Sequence, residues 1–455
     1  MEPRSRSPEG FLMSRLLLFA LLLPVGCERA RPYDPRPRRD IDPLPSDVKA
    51  LPADYTWIDG GREPFAKDTP IEFIHAEGNP EAWAKLPTFW NPPGKDAVPI
   101  RIKVPMGLDD PTGYIPPANR PTLGKWELGR QLFFDATWLD DKPGTSCAGC
   151  HDPKLGFSDG KRQSVGGRNT TTLVNVVYAR SLFADGRATY LEEVVQRTPE
   201  DERTGGPHAW AGVIARLRKN KVLRSRFLEV FDAPPHQDAL GQAIATYLRT
   251  LLAADSLFDR ARVAQRTARA ATLSATHFEP LLDNATLRQL DREKDAKAVV
   301  AADLARGWEL FQGRAACASC HPAGNGYFSD SRFYNIGIDA GGELLTERER
   351  QGRFLFAPLG EKSRYTLGAW KTPTLRGLGR SGPYFHNGEE RELLAVIKRH
   401  IDPDPDGAPF NNYLDPKLAD SNGSRRKFGL SGGDVTALVT FLRSLDGMEV
   451  DPFVR

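Results

Sequence analysis

Cysteine is scarce: five in 455 residues, four of them in two close pairs and the fifth, Cys27, alone near the N-terminus. None is left over for a structural disulfide. The formal charge of +3 is near neutral, which excludes the strongly basic faces expected of nucleic-acid binders. No apolar run is long enough to span a bilayer, since residues 16–23 form only a short one. Long alternating stretches are also missing, which excludes a β-sandwich or barrel and leaves a mainly α chain. The length allows two or three domains, each with its own core.

What the chain does contain is one motif used twice. Ser146–Cys147–Ala148–Gly149–Cys150–His151 leads into Gly156–Phe157–Ser158–Asp159. Cys317–Ala318–Ser319–Cys320–His321 leads into Tyr327–Phe328–Ser329–Asp330. C-x-x-C-H is the attachment signal for c-type haem. Two intervening residues let one turn present both sulfurs to a porphyrin edge, and the next residue then lies beneath the iron. Roughly one chain in a thousand of this composition would hold a single such motif by chance. A disulfide, a thioredoxin-like redox pair or half a zinc site are the plainer readings. Each is disfavoured because each pair carries its own histidine and no other cysteine cluster exists. Two covalently bound haem c groups are expected, with Cys147, Cys150, Cys317 and Cys320 as attachment points and His151 and His321 as iron ligands.

Residues 1–27 read as a signal peptide. Arg4, Arg6 and Arg15 precede the apolar stretch, and Pro24–Val25–Gly26–Cys27 is similar to a lipoprotein cleavage site, although Pro24 departs from the usual aliphatic residue. An ordinary secretory signal with an incidental cysteine is the alternative. Either places the protein outside the cytoplasm, in the periplasm, with membrane attachment through lipidated Cys27 in the first case. Residues 28–50 read as a tether and 51–114 as an irregular segment over the domain surface, both rich in proline. Its Met106 and His75 read as packing residues that could in principle reach an iron.

The pattern then becomes helical. Leu123, Trp126, Arg130 and Phe133 recur at helix spacing before the first motif, and Val300, Leu304, Trp308 and Phe311 before the second. Helices are expected near 208–232 and 238–262, with a helical connector over 263–297. A closing helix starts at the capping box Ser431/Asp434. Two tandem cytochrome c-like domains follow, 115–275 and 276–455.

Further residues carry a resemblance. Leu128–Gly129–Arg130–Gln131–Leu132–Phe133–Phe134–Asp135, Arg168–Asn169, Asp185–Gly186–Arg187 and Leu191–Glu192–Glu193 are similar to bacterial dihaem cytochrome c peroxidases. So are Lys371–Thr372–Pro373–Thr374–Leu375–Arg376 and Pro383–Tyr384–Phe385–His386–Asn387–Gly388. That family includes MauG-like enzymes, which use hydrogen peroxide to oxidise aromatic side chains of another protein. The resemblance implies that the N-terminal haem cleaves peroxide while the C-terminal haem transfers electrons. It also implies an interdomain calcium ion held by the Asn169 side chain and the Ser381 and Pro383 carbonyls, where a capping Asn and an ordinary turn are the alternative.

Departures from the family pattern are informative. The loop 161–168 lacks the histidine that blocks the first iron in ordinary peroxidases, so that iron is expected to be open at rest unless Met106 or His208 substitutes. The family's second-haem ligand, Met or Tyr, falls at His400, fourteen positions after His386. Leu393, Val396, Ile397 and His400 share one helical face, so iron ligation competes with a core-histidine reading. Ala184 replaces the family's bridging Trp, leaving Trp370 or Phe183 as other routes. Peroxide cleavage needs a proton carrier, and Glu200, then Glu202, are the candidates, set against a solvated acidic turn. The expected activity is that of a cytochrome-c peroxidase drawing electrons from a small cytochrome c or cupredoxin. A MauG-like enzyme acting on a protein substrate and a non-enzymatic electron carrier are the alternatives.

Overall fold

In the computed structural model of the chain, the described residues are 67–75, 80–85, 90–91, 100–140, 146–164, 167–200, 209–338, 351–401, 413–419 and 426–447. The expected signal and tether, Cys27, Asp201, Glu202 and His208 lie outside them. Helices dominate, as the structural relatives reported below also require.

Among the described residues there are two large apolar cores, one drawn from residues 71–253 and the other from 257–445, and a smaller third cluster around Val104, Tyr178 and Tyr327. Each large core is built on a crossing of two helices. In the first, α1 (Leu123–Phe134) packs on α2 (Gln237–Leu248). Thr122 caps α1 by accepting the Lys125 amide, and Trp126, Leu128, Leu132 and Phe133 face inward. Gly129 is required at the crossing, because a Cβ there would strike the Ala243 carbonyl.

The second core repeats the device. There α3 (Lys297–Gln312) packs on the final helix α5 (Gly432–Arg443), and a Cβ on Gly307 would strike the Ala437 carbonyl. Between them in sequence, α4 (Leu393–Ile401) also packs on α5. The capping box is formed: Asp434 N donates to Ser431 Oγ at 3.2 Å and Ser431 N to Asp434 Oδ2 at 3.1 Å. Fully buried Phe133 and Phe311 hold the two crossings, and truncating either to Ala should cost about 3–5 kcal/mol.

Several expectations are modified. The segment before α1 is more regular than its prolines suggest. Strands β1 (Ile71–Ile74), β2 (Trp90–Asn91) and β3 (Ile100–Lys103) form a sheet in the order β1-β3-β2, with β1 parallel and β2 antiparallel to β3. Ile71 and Ile102 enter the first core. Strands this short carry too few residues for alternation to show.

The helix expected over 208–232 is two, Trp210–Lys219 and Lys221–Phe231. They part at Asn220, whose Oδ1 accepts the Val222 and Leu223 amides at 3.1 Å each. The expected connector over 263–297 contains two short helices, Ala275–Phe278 and Asn284–Gln289, and sends Phe278, Leu282, Leu287 and Leu290 into the second core.

Arg376 ties distant pieces together. It is fully buried, pairs with Asp259 at 2.6 and 2.8 Å, and donates to the carbonyls of Gly326 and Gly107. Asp185 plays a similar part, accepting from Arg168 and Arg187 at 2.8 Å. Two of the motifs shared with the family are thus structural pins.

Candidate functional site

Each C-x-x-C-H motif is a single turn. Ser146 caps Cys147–Cys150 through the Gly149 amide, and Cys317–Ser319 forms a 3-10 turn. The four thiols are free and half-buried. Burial pushes Cys147 and Cys317 up to about 12, and Cys320 upward as well. Thioredoxin-like chemistry needs the opposite, a thiol with a depressed pKa. These sulfurs are poised to stay protonated.

The histidines are fixed alike. His151 Nδ1 lies 2.9 Å from the Phe157 carbonyl, and His321 Nδ1 lies 2.9 Å from the Phe328 carbonyl. A carbonyl can only accept, so each Nδ1 carries the hydrogen and each Nε2 carries the lone pair a metal needs. Burial holds both rings neutral: His151 is lowered, and His321 falls to about 4. Phe157 and Phe328 each adopt a left-handed backbone, φ 59° and 55°, uncommon for a bulky residue. That turn aims the carbonyl at the imidazole. Neither carbonyl was assigned from the sequence; the repeated Phe-Ser-Asp behind each motif was the available signal.

The two sites differ on their other face. His400 is close enough to His321 to lower it further, so two imidazoles share the second site. His400 Nδ1 donates to the Val396 carbonyl at 2.8 Å, leaving Nε2 with its lone pair. The groups acting on His151 are the backbone of Phe157 and Thr171 and the Asp159 carboxylate, with no second imidazole among them. Met106 does not serve the first site. It lines a cavity of about 430 Å³ with His75, Phe258, Trp308 and Phe328, beside the second core. His75 Nε2 donates to the Leu108 carbonyl.

Of the proton-carrier candidates, Glu200 is exposed and accepts the Trp210 amide at 3.3 Å. Nearby Glu192 is buried but occupied by Arg249 at 2.8 Å and Asn119 at 2.7 Å.

The structure brings Asn169 to Pro383. Its Nδ2 contacts the Pro383 and Phe385 carbonyls at 2.6 and 3.0 Å, while its buried Oδ1 has no partner. Turning the amide over would set three oxygens toward one point, a donor set suited to calcium. Among the described residues, no group of three or more His, Cys, Asp and Glu side chains stands together as ligands of another metal ion would. The buried Trp370 Nε1 also lacks an acceptor. Unpaired thiols, neutral imidazoles with oriented Nε2 atoms and this orphaned donor all fit haem.

Fold and site together define a mainly α protein with two similarly built C-x-x-C-H sites whose chemistry suits haem. The chain belongs to the family of dihaem cytochrome c peroxidases and MauG proteins. Residues 124–267 match the model of the di-haem cytochrome c peroxidase family. Methylamine utilization protein MauG of Methylorubrum extorquens is 32% identical over 297 residues, 63% of this chain and 71% of that protein. Cytochrome-c peroxidase IdrP1 of Denitromonas iodatirespirans is 31% identical over 321 residues, 63% of this chain and 76% of that protein. The fold is shared with the diheme peroxidase BthA from Burkholderia thailandensis, with a TM-score of 0.53 and 22% identity over 75% of this chain and 90% of that one. The chain is therefore a haem-dependent oxidoreductase that uses peroxide and works with a redox or protein partner.

Proposed function

We propose that the chain is an exported dihaem peroxidase, built as two tandem cytochrome c-like domains at 115–275 and 276–455, that reduces hydrogen peroxide to water. Its electrons come from a small periplasmic cytochrome c or cupredoxin. The observation that supports this most is the asymmetry of two otherwise similar sites: the His400 imidazole acts on His321, and among the described residues no second imidazole acts on His151.

Cys147, Cys150 and His151 hold the peroxide-reactive haem; Cys317, Cys320, His321 and His400 hold the electron-transferring one. Haem supplies the iron that takes up peroxide and exchanges single electrons. The Phe157 and Phe328 carbonyls hold each proximal ring in the ligating tautomer. Glu200, with Glu202 beyond it, moves the proton between the peroxide oxygens. Asn169, Ser381 and Pro383 hold calcium where the two halves meet. Lipidation of Cys27 anchors the protein in the periplasm.

A second reading, a MauG-like enzyme that oxidises Trp or Tyr side chains of a partner, draws on the absence of histidine from the 161–168 loop and of Met at position 400. The holoprotein decides between them. Steady peroxide consumption with a reduced small cytochrome supports the first reading. A peroxide-oxidised state that persists until a partner protein is added supports the second. Two six-coordinate haems at rest, inert to peroxide, would leave an electron carrier.

A further inference from the structure

The two histidine supports converge on one aromatic residue. Lys371 N donates to the Ala184 carbonyl at 2.8 Å, and Asn169 N to the His386 carbonyl at 2.9 Å, so segments 168–187 and 370–388 lie against each other. Within that seam Trp370 is buried. The His386 imidazole stacks on its indole with centroids 3.8 Å apart and planes 10° apart. The guanidinium carbon of Arg168 lies 4.7 Å from the indole centroid. Three residues after Arg168 is Thr171, whose backbone acts on His151. Three residues after Trp370 is Pro373, whose backbone acts on His321. The Trp370–Arg168 contact thus joins two chain segments, each of which also carries a residue acting on one proximal ligand.

We propose that Trp370, stacked on His386, is the passage for single electrons between the two haems. This rests on the two-haem reading above. In each passage the second iron is oxidised by one electron and the peroxide-oxidised first centre is reduced by one. The indole gives and regains that electron, keeps its N–H proton and forms no bond. Hydrogen peroxide is the oxidant. The Arg168 cation disfavours a lasting positive charge on the ring, so the indole conducts without storing.

The competing aromatics are less suited. Tyr178 and Tyr327 lie with centroids 6.1 Å apart, but a tyrosine must shed its proton when oxidised, and the Tyr178 hydroxyl donates to the Asp109 carbonyl, which is no base. Phe183 lies under Arg187 at 3.5 Å and carries only a phenyl ring, harder to oxidise than indole.

The test mixes the full-length holoprotein with one equivalent of hydrogen peroxide and follows the absorption bands of both haems by stopped flow. Trp370→Phe should leave the resting spectrum, haem content and first-haem response intact, while the second-haem response slows by at least about tenfold. Adding Ala184→Trp, which returns an indole to the seam, should restore much of the rate. Should Trp370→Phe lose haem, Trp370→Tyr keeps more of the volume and should show the same slowing. A second-haem response unchanged within about twofold in a haem-replete variant would overturn the relay. If the unsubstituted protein shows no peroxide response at either haem, the two-haem reading fails and the relay with it, a result plainly different from selective loss at the second haem.

Discussion

The two motif regions share a design up to a point and then diverge. In both, a glycine lets a helix cross its partner closely, a turn presents two free thiols, and a left-handed phenylalanine aims its carbonyl at the proximal ring. The divergence is in what arrives from elsewhere in the chain. Helix α4 delivers His400 to the second site, and among the described residues no imidazole acts on His151. Motif repetition therefore yields two similar turns, and on the proposed reading one delivered side chain would separate a closed haem from a reactive one. Coordination by two imidazoles should also lower the second potential relative to His/Met ligation.

The comparison breaks outright if either haem is not covalently held. Replacing Cys147 and Cys150 by Ser should remove one porphyrin from the intact mass and leave the second haem's spectrum unchanged. Loss of both, or of neither, would end the assignment.

Next in size, His400→Ala should convert the second haem from low-spin to high-spin and let cyanide bind there. Unchanged spectra would refute ligation. On the first side, Glu200→Gln should slow the peroxide reaction by about a hundredfold with an unaltered resting spectrum. If Glu202→Gln does so instead, the carrier is the later carboxylate.

The calcium proposal predicts a smaller effect. A chelator should lower the melting temperature of the unsubstituted protein but not that of Asn169→Ala, itself less stable because it no longer holds the ion. Equal shifts in both would remove the ion.

The smallest effect compares the cores. Burial raises Glu127 in the first to about 7 beside its partner Arg226, and raises Asp446 in the second to about 6, its Oδ2 accepting the Gly379 amide at 2.9 Å. The folded state holds the Asp446 proton more tightly than the unfolded chain does. Stability is therefore full below pH 4, falls as pH rises toward 6 and stays reduced above it. Asp446→Asn should gain at most about 2–3 kcal/mol at pH 8 and nothing below pH 4, measured by thermal unfolding.

Much of this was legible in the residues. The motif helices, the closing helix with its Ser431/Asp434 cap and the C-x-x-C-H turns are local: spacing, caps and turn geometry act within a few residues. The split at Asn220 and the strands near Ile71 and Ile102 were less legible, because one capping side chain and short pairings leave weak periodic signals. Met106 reads as a packing residue in the sequence, but the cavity it lines with Phe258, Trp308 and Phe328 is formed by residues distant in the chain and has no local signal.

By itself, then, the sequence determined two C-x-x-C-H turns, the helices beside them and the family to which they belong, since those depend on neighbouring residues and on matching motifs. Only the tertiary structure decided which carbonyls orient the two histidines, that the His400 imidazole lies near His321, and that Trp370 lies between Arg168 and His386. Those contacts join residues far apart in the chain. They exist because the packing of two cores, pinned by Arg376 and Asp185, leaves those side chains no other place.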